Sequence, residues 1–569
     1  MTMMSGAQML VRTLEELGVE ILFGYPGGAV LDIYDALLDC TTIRHVLARH
    51  EQGGAHMADG YARATGRTGC CLVTSGPGST NTVTSIATAY MDSVPLVVIT
   101  GQVISPLIGS DAFQEVDTVG ITRPIVKHSY LCKSALDIPV YLARAFYLAA
   151  SGRPGPVVVD VPKDCVNPAN TFRWPGLPQV RLRSYNPTLM GHKGQIRRAC
   201  KLLAAARRPL LLAGGGVILG NAAEEFRSLA LRLGMPVTTT LMGLGSIDGA
   251  DPLCTGMVGM HGTLESNEAM DKCDVLLAVG VRFDDRVTND TSKFCPAARI
   301  IHIDIDPASI DKTVHAHVPI VGAVREVLGQ FQQTLDELGF DDQHADLSEW
   351  WQQIEAWRGH RCLRYRSRGE TIAPQAIVEA IYKATQGEAI ITTDVGQHQM
   401  FAALYYHYHH PRTFITSGGL GTMGFGFPAG AGAKLGCPDR EVCVLTGDGS
   451  IQMNIQELGT CFEYHIPLKI FIFNNHTLGM VRQWQQLFYK GRISATNLDF
   501  NPDFVALARA YGHEGLRVTK PEELEGAVQQ ALAMRDKLVL VDIVCDIDAH
   551  VLPMQQPRGS MADMFLSED

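Results

Sequence analysis

Two oxygen-bearing side chains, Asp448 and Asn475, stand at the ends of matching apolar runs. Asp448 sits in Gly447-Asp448-Gly449, and Asn475 closes Asn474-Asn475, 27 residues after the Asp. The Gly-Asp-Gly follows residues 440–446 (REVCVLT) and the Asn pair follows 468–473 (LKIFIF), both bounded by turn residues as buried strands are. Between them Ile451, Ile455, Leu458 and Cys461 recur at helical spacing, so the unit is expected to run strand, turn, one helix, strand. A crossover connection returns two parallel strands to a common edge. Asp448 and Asn475 then lie side by side at carboxyl ends of strands, where open α/β sheets take ligands. A carboxylate and an amide carbonyl are hard donors suited to Mg2+, which keeps its other positions for phosphate and water. The glycines let a phosphate approach the main chain. A βαβ unit that binds nothing has the same local pattern, so the rest of the chain has to discriminate.

The elements that position this unit recur along the chain. Ser5 is the expected N-cap of a helix with the apolar face Ala7, Leu10, Val11, Leu14 and Leu17, ended by Gly18. Strand patterns follow near 19–23, 70–74, 95–100 and 156–160, then 209–213, 275–281 and 300–305, then 389–394, 440–446, 468–473 and 538–545, with helical stretches between. This is α/β throughout. Three doubly wound parallel-sheet domains are expected, at 1–165, 190–335 and 373–548. A Pro-, Arg- and Asn-rich linker, 166–189, and a polar connector, 336–372, join them; the connector carries Trp350, Trp351 and Trp357 on a helix. The tail, 549–569, has few element signals. Tyr406-His407-Tyr408-His409-His410 reads as a solvated surface turn.

Bulk properties remove several classes of function. With 569 residues, 46% apolar and 19% charged, the chain has an ordinary globular balance and builds its core without staples. A net charge of −11 and the lack of a dense basic run argue against a nucleic-acid partner. The 14 cysteines include no CxxC, which fits reduced thiols in a cytoplasmic protein. The N-terminal stretch has no signal-peptide core, and no apolar run approaches the ~20 residues of a membrane span.

The Gly-Asp-Gly and Asn-Asn spacing is similar to the thiamine-diphosphate motif. Further stretches narrow the likeness: FGYPGG (23–28), RHEQ (49–52), MADGYARATG (57–66), TSGPGSTN (74–81), DAFQE (111–115), PKD (162–164) and GTMGFG (421–426). Together they resemble the acetohydroxyacid synthase (acetolactate synthase) family of large catalytic subunits, from about residue 5 to 554. One departure is Ile104, where many relatives carry proline; it bears on inhibitor access more than on chemistry.

The resemblance implies thiamine diphosphate, Mg2+ and FAD as cofactors. It implies Asp448, Asn475 and the main-chain carbonyl of Thr477 as the metal site. Gly28, Gln397, His398, Gln399, Gly421, Gly449 and Ser450 would lie against thiamine diphosphate, with Met423 wedged beneath it. Glu51 would be the acid that activates the cofactor through its pyrimidine ring, a role best served by a partly desolvated carboxyl. Trp484 and Met480 would line the pocket of the second keto acid, where one methylene is worth roughly 1–3 kcal/mol. Arg282 would meet a substrate carboxylate, and Gln114 and Lys163 the channel. FAD would be structural, held by Arg153, Gly214, Gly215, Gly216, His261, Gly262, Gly280, Arg282, Asp304, Asp306 and Ala323; taken alone, the Gly-Gly-Gly lacks a dinucleotide fingerprint.

The implied reaction joins the two-carbon unit of pyruvate to a second pyruvate or to 2-oxobutyrate, for branched-chain amino acid synthesis. Implied partners are further large subunits, in a dimer or tetramer with Glu51 of one chain facing Asp448 of another, and a small regulatory subunit. The alternatives are a flavin-dependent pyruvate oxidase, a simple 2-keto acid decarboxylase, or a non-catalytic regulatory homologue. Trp484 and Arg282 in their motifs speak against the first two. Retention of Glu51, Asp448 and Asn475 speaks against the third.

Overall fold

The computed structural model describes residues 2–340, 345–367 and 369–566. Residues 341–344 and 368 of the expected connector, and 567–569 of the expected tail, lie outside the described residues. The first helix forms as its sequence dictates. Gln8 N donates to Ser5 Oγ (3.2 Å) and Ser5 N to Gln8 Oε1 (3.0 Å), a capping box that starts Gly6–Glu16. Ala7, Leu10, Val11 and Leu14 are buried, and Gly18 takes a left-handed φ of 76° just past the end. Not foreseen is the short strand Met3–Ser5 before it, which pairs antiparallel with Thr171–Arg173. Part of the linker is thereby tied to the N-terminus.

Among the described residues three six-stranded sheets carry the fold, and every pairing within them is parallel. The first runs, edge to edge, Arg44–Leu47, Ile21–Tyr25, Gly69–Val73, Leu96–Gln102, Pro156–Pro162, His128–Leu131. The third runs Phe414–Thr416, Ile390–Thr393, Val442–Gly447, Lys469–Asn474, Val539–Val544, Glu514–Val518. Counted in chain order, both follow 2-1-3-4-6-5. The middle sheet runs Cys254–Met257, Val237–Thr239, Pro209–Ala213, Val275–Val279, Arg299–Asp304, Val318–Val321, the order 3-2-1-4-5-6 of dinucleotide-binding folds. Each order reverses between two neighbouring central strands, and the connections leaving those strands diverge to opposite faces. That opens a crevice at their carboxyl ends. The three crevices lie beside Gly27 and Thr74, beside Gly214 and Gly280, and beside Asp394 and Gly447.

The first and third sheets share one core. Helix Glu51–Thr65 packs on helix Gly426–Gly436, and Phe23, Val46, Ala58, Phe425, Ala429, Val444 and Leu458 form a continuous cluster. Close approach explains the small residues on both helices. A Cβ on Gly60 would collide with Ala429 O, and one on Gly432 with Met57 O. Gly432→Val is therefore expected to cost at least the ~1–3 kcal/mol of an overpacked core, read as a lower thermal midpoint. Beside this contact, buried Arg63 donates to Asp59 (2.5 Å), Asp92 (2.9 Å) and the Thr416 carbonyl (2.9 Å). Asp92 also accepts from Gly418 N and Gly419 N, so an ion-pair network braces the chain just before Gly421.

Two expectations are corrected. The single helix after Gly449 is two: Asp448–Ile451 and Glu457–Glu463. The break lets Asn454 turn inward, where its Nδ2 donates to Gly424 O (2.6 Å). The Tyr406-to-His410 run is not a solvated turn. Its alternation buries Tyr406 and Tyr408 in the core while His409 Nδ1 bonds Asp248 of the middle region (2.7 Å). The tail, whose few element signals left its order open, packs on the middle region over its described residues. Strands Met554–Gln555 and Met564–Phe565 pair, Gln555 N donates to Met260 O, Asn289 Nδ2 reaches Gln556 O, and Met561 joins the middle core. The connector helix Ser348–Arg358 is docked on the middle sheet, with Trp350 Nε1 on Pro209 O and Trp351 Nε1 on Gly234 O, each 2.9 Å.

Candidate functional site

The crevice of the third sheet is a narrow cleft. Its lining includes Gln397, His398, Met423, Asp448, Gly449, Ser450, Asn475, Thr477 and Met480, nine residues expected there from the sequence. Strand Val442–Gly447 delivers Asp448, and Lys469–Asn474 delivers Asn475, one register step apart in the same ladder. Asp448 is buried, and burial pushes its carboxyl up to about 6, against donors from Asn501 Nδ2 (2.7 Å) and Gly449 N (3.0 Å). A buried carboxylate so raised gains from a nearby cation. Asn475 Oδ1 accepts from Thr477 N (3.1 Å), which fixes the amide carbonyl toward the turn.

His398 is buried with Nε2 unpaired, and burial lowers its pKa to about 3, so the imidazole is neutral. An orphaned buried ring nitrogen beside a Gly-rich turn fits a polar ligand that supplies the missing hydrogen bond. The donor set fits the implied groups: oxygens of Asp448, Asn475 and the Thr477 main chain for Mg2+, the turn glycines and His398 for a diphosphate. Among the described residues no cluster of three His, Cys, Asp or Glu side chains forms a metal site, so this mixed oxygen set carries the fit. Met423 approaches the turn, its Cε 3.9 Å from the position a Gly449 Cβ would take.

Other expected residues stand apart from the cleft. Gln399 turns away, its Nε2 donating to Thr416 Oγ1 (2.7 Å). Gly421, with φ 72°, is exposed before Met423 and does not line the cleft. Trp484 is half-buried on helix Gly479–Phe488, its ring 5.0 Å from Phe488, and is also not in the lining.

Glu51 belongs to the carboxyl edge of the first sheet, with Gly28, Gln114 and Lys163, all three exposed. Asn81 Nδ2 donates to Glu51 Oε2 (2.9 Å), while Oε1 has no hydrogen bond within the described chain. No residue of the first sheet lines the cleft around Asp448. One chain therefore holds both halves of the expected site without joining them.

The middle crevice opens into a cavity of about 540 Å3, within the usual range for small-molecule sites. Arg153, Gly214, Gly215, Gly216, Gly280, Arg282, Asp304 and Ala323 line it, eight of the residues expected around FAD. The glycines are required by close approach: a Cβ on Gly214 would strike Gly280 O, and Gly280 itself has φ 61°. Burial pushes Asp304 up to about 6. Asp306 is outside the lining and pairs with Arg153 (3.1 Å). His261 and Gly262 are also outside; His261 is buried against the main chain of Val551 and Pro553, and burial lowers its pKa to about 4. Arg282 reaches this cavity rather than the Asp448 cleft, 3.9 Å from Asp284.

Sequence reasoning missed Asn501, which orients Asp448 from 53 residues away, and Glu457, which reaches the segment before Glu51. The Gln-Glu-Leu at 456–458 offered a polar residue within an apolar helical pattern, the one available signal for Glu457.

Comparisons agree with the geometry. Residues 4–121 match the N-terminal TPP-binding domain of thiamine pyrophosphate enzymes, 196–331 the central domain, and 394–543 the C-terminal TPP-binding domain. The chain is 55% identical to an acetolactate synthase large subunit of Haemophilus influenzae, over all of this chain and 99% of that one. It is 54% identical to the acetolactate synthase isozyme 3 large subunit of Escherichia coli, with the same coverage. With the large subunit of Corynebacterium glutamicum it shares 49% identity over 99% of this chain and 90% of that one.

Proposed function

The chain belongs to the acetolactate synthase large-subunit family of thiamine-diphosphate enzymes, and from that premise we propose how its residues divide the work. Its reaction is acetolactate synthesis: pyruvate loses CO2, and the remaining two-carbon unit is joined to a second 2-keto acid, giving 2-acetolactate from pyruvate or 2-aceto-2-hydroxybutyrate from 2-oxobutyrate. Thiamine diphosphate, when bound, supplies the electron sink for both steps.

Asp448, Asn475 and the Thr477 carbonyl would hold Mg2+, and the turn at Gly449 and Ser450 would hold the diphosphate, with His398 Nε2 facing it as the imidazolium that a nearby anion favours. The observation that supports this most directly is the buried, unpaired His398 Nε2 in the same cleft as the two oxygen ligands. Met423 shapes the floor of the cleft. Glu51 holds a proton at Oε1, the oxygen left free by Asn81. Met480 and Trp484, a turn apart on one helix, shape the acceptor pocket. FAD occupies the middle cavity and acts structurally, because the overall reaction transfers no net electrons. Since the cleft lacks Glu51, a second copy supplies it, with domains near 1–165 and 373–548 meeting across the pair. Gln114 and Lys163 then border the channel. A separate small subunit supplies feedback control for branched-chain amino acid synthesis.

A colorimetric acetolactate assay with and without added thiamine diphosphate and Mg2+ tests the reading, together with the flavin absorbance of the purified protein. Acetolactate formation that needs both additions is expected. Acetate or acetaldehyde as the sole product would defeat it.

A further inference from the structure

The chain entering Glu51 is gripped from another domain. Helix Glu457–Glu463, which follows the Asp448 turn, lies along the end of strand Arg44–Leu47 and the residues after it. Leu47 N donates to Tyr464 Oη (2.9 Å), and Thr460 Oγ1 lies 3.2 Å from Leu47 O. The main-chain N–H groups of Arg49 and His50 both donate to the Glu457 carboxylate, at 3.0–3.2 Å. Thr460 Oγ1 is 2.7 Å from Glu457 Oε2. Gly53 is bare because a Cβ there would collide with that carboxylate.

Glu457 is fully buried. Among the described residues its carboxylate makes no ion pair; the Arg49 guanidinium is directed instead to Glu463 and the Leu47 carbonyl. A buried carboxylate is costly unless hydrogen-bonded, and all of the hydrogen bonds to this one except that of Thr460 come from the two residues preceding Glu51. Burial pushes its carboxyl up to about 7, and those donors act against the shift.

We propose that Glu457 is a positioning residue for Glu51: by fixing the main chain at residues 49 and 50 from the third domain, it keeps Glu51 Oε1 aimed at the edge where the cofactor's pyrimidine is activated. The inference rests on the reading of Glu51 as the activating acid. Asn81 fixes the other side-chain oxygen, so main chain and side chain are held by two independent contacts. A displacement of about 1 Å at such a group is worth up to ~10²-fold in rate.

The test is deuterium exchange at the thiazolium C2 of thiamine diphosphate bound to the holoenzyme, at pH 8, above the value to which burial raises Glu457. Glu457→Gln keeps the volume but offers one acceptor oxygen in place of two. Exchange is expected to fall about tenfold, with cofactor affinity within threefold of wild type and the thermal midpoint retained. Thr460→Val, which removes the hydroxyl shared between Glu457 and Leu47, moves exchange the same way by a smaller factor. Wild-type exchange in a folded Glu457→Gln holoenzyme overturns the proposal. So does a loss of exchange matched by an equal loss of cofactor affinity, the signature of a merely structural role. Glu51→Gln run alongside separates the two ideas: if it too exchanges at the wild-type rate, the reading of Glu51 has failed instead.

Discussion

Glu51→Gln lowers kcat by about 10²–10⁴-fold, the usual worth of a positioned acid–base group, while thiamine diphosphate and Mg2+ still bind. The local geometry makes the expectation sharp. Asn81 Nδ2 donates to Glu51 Oε2, so the Gln carbonyl takes that position and its amide takes the place of Oε1. The site then presents a nitrogen with no exchangeable acid function, at unchanged volume and orientation. Steady-state kinetics with a cofactor titration checks both halves. Unchanged turnover would remove Glu51 from the chemistry.

Asp448→Asn is expected to weaken Mg2+-dependent cofactor binding about 10²-fold, and to change stability with opposite signs in the two states. Without ligand, the buried wild-type carboxyl has a folded pKa of about 6, above its ordinary 3.8. Such a group favours the fold below 3.8, and that contribution is lost as pH rises through 6. The neutral variant has no such slope, so at pH 8 the ligand-free variant is at least as stable as the wild type. With saturating Mg2+ and thiamine diphosphate the order reverses. Binding at a hundred times Kd stabilises by ~2.7 kcal/mol, and the variant forgoes most of that. Thermal midpoints of the four samples decide it; a variant that gains the full ligand shift would remove Asp448 from the metal site.

The parts of this molecule legible in the sequence are those fixed by local periodicity. Strands buried on both faces read as unbroken apolar runs, and the ends of 440–446 and 468–473 lie within two residues of Val442–Gly447 and Lys469–Asn474. The N-cap of Gly6–Glu16 was equally plain in Ser5, while its capping-box partner Gln8 emerged only in the structure. What escaped is set by contacts distant in sequence. Glu457 meets Arg49 across 408 residues, and Asn454 breaks a promising helix to reach Gly424. The Tyr406–His410 run has strand-like alternation that polar composition concealed, and the tail is ordered by the middle region rather than by its own propensity. Family resemblance supplied roles that periodicity could not, but it did not indicate that Gln399 faces Thr416 or that His261 lies under Val551.

The docked connector has a spectroscopic consequence. The chain has five tryptophans, Trp174, Trp350, Trp351, Trp357 and Trp484, and three share one helix. Two of those bond carbonyls of the middle region, and Trp350 packs edge-on to Trp357 at 5.7 Å. Three of the five indoles therefore report on that seam. A denaturation curve followed at these three indoles tracks detachment of the connector, and an optical probe of the thiamine cleft has to be introduced separately or read from Trp484 once the other four are silenced.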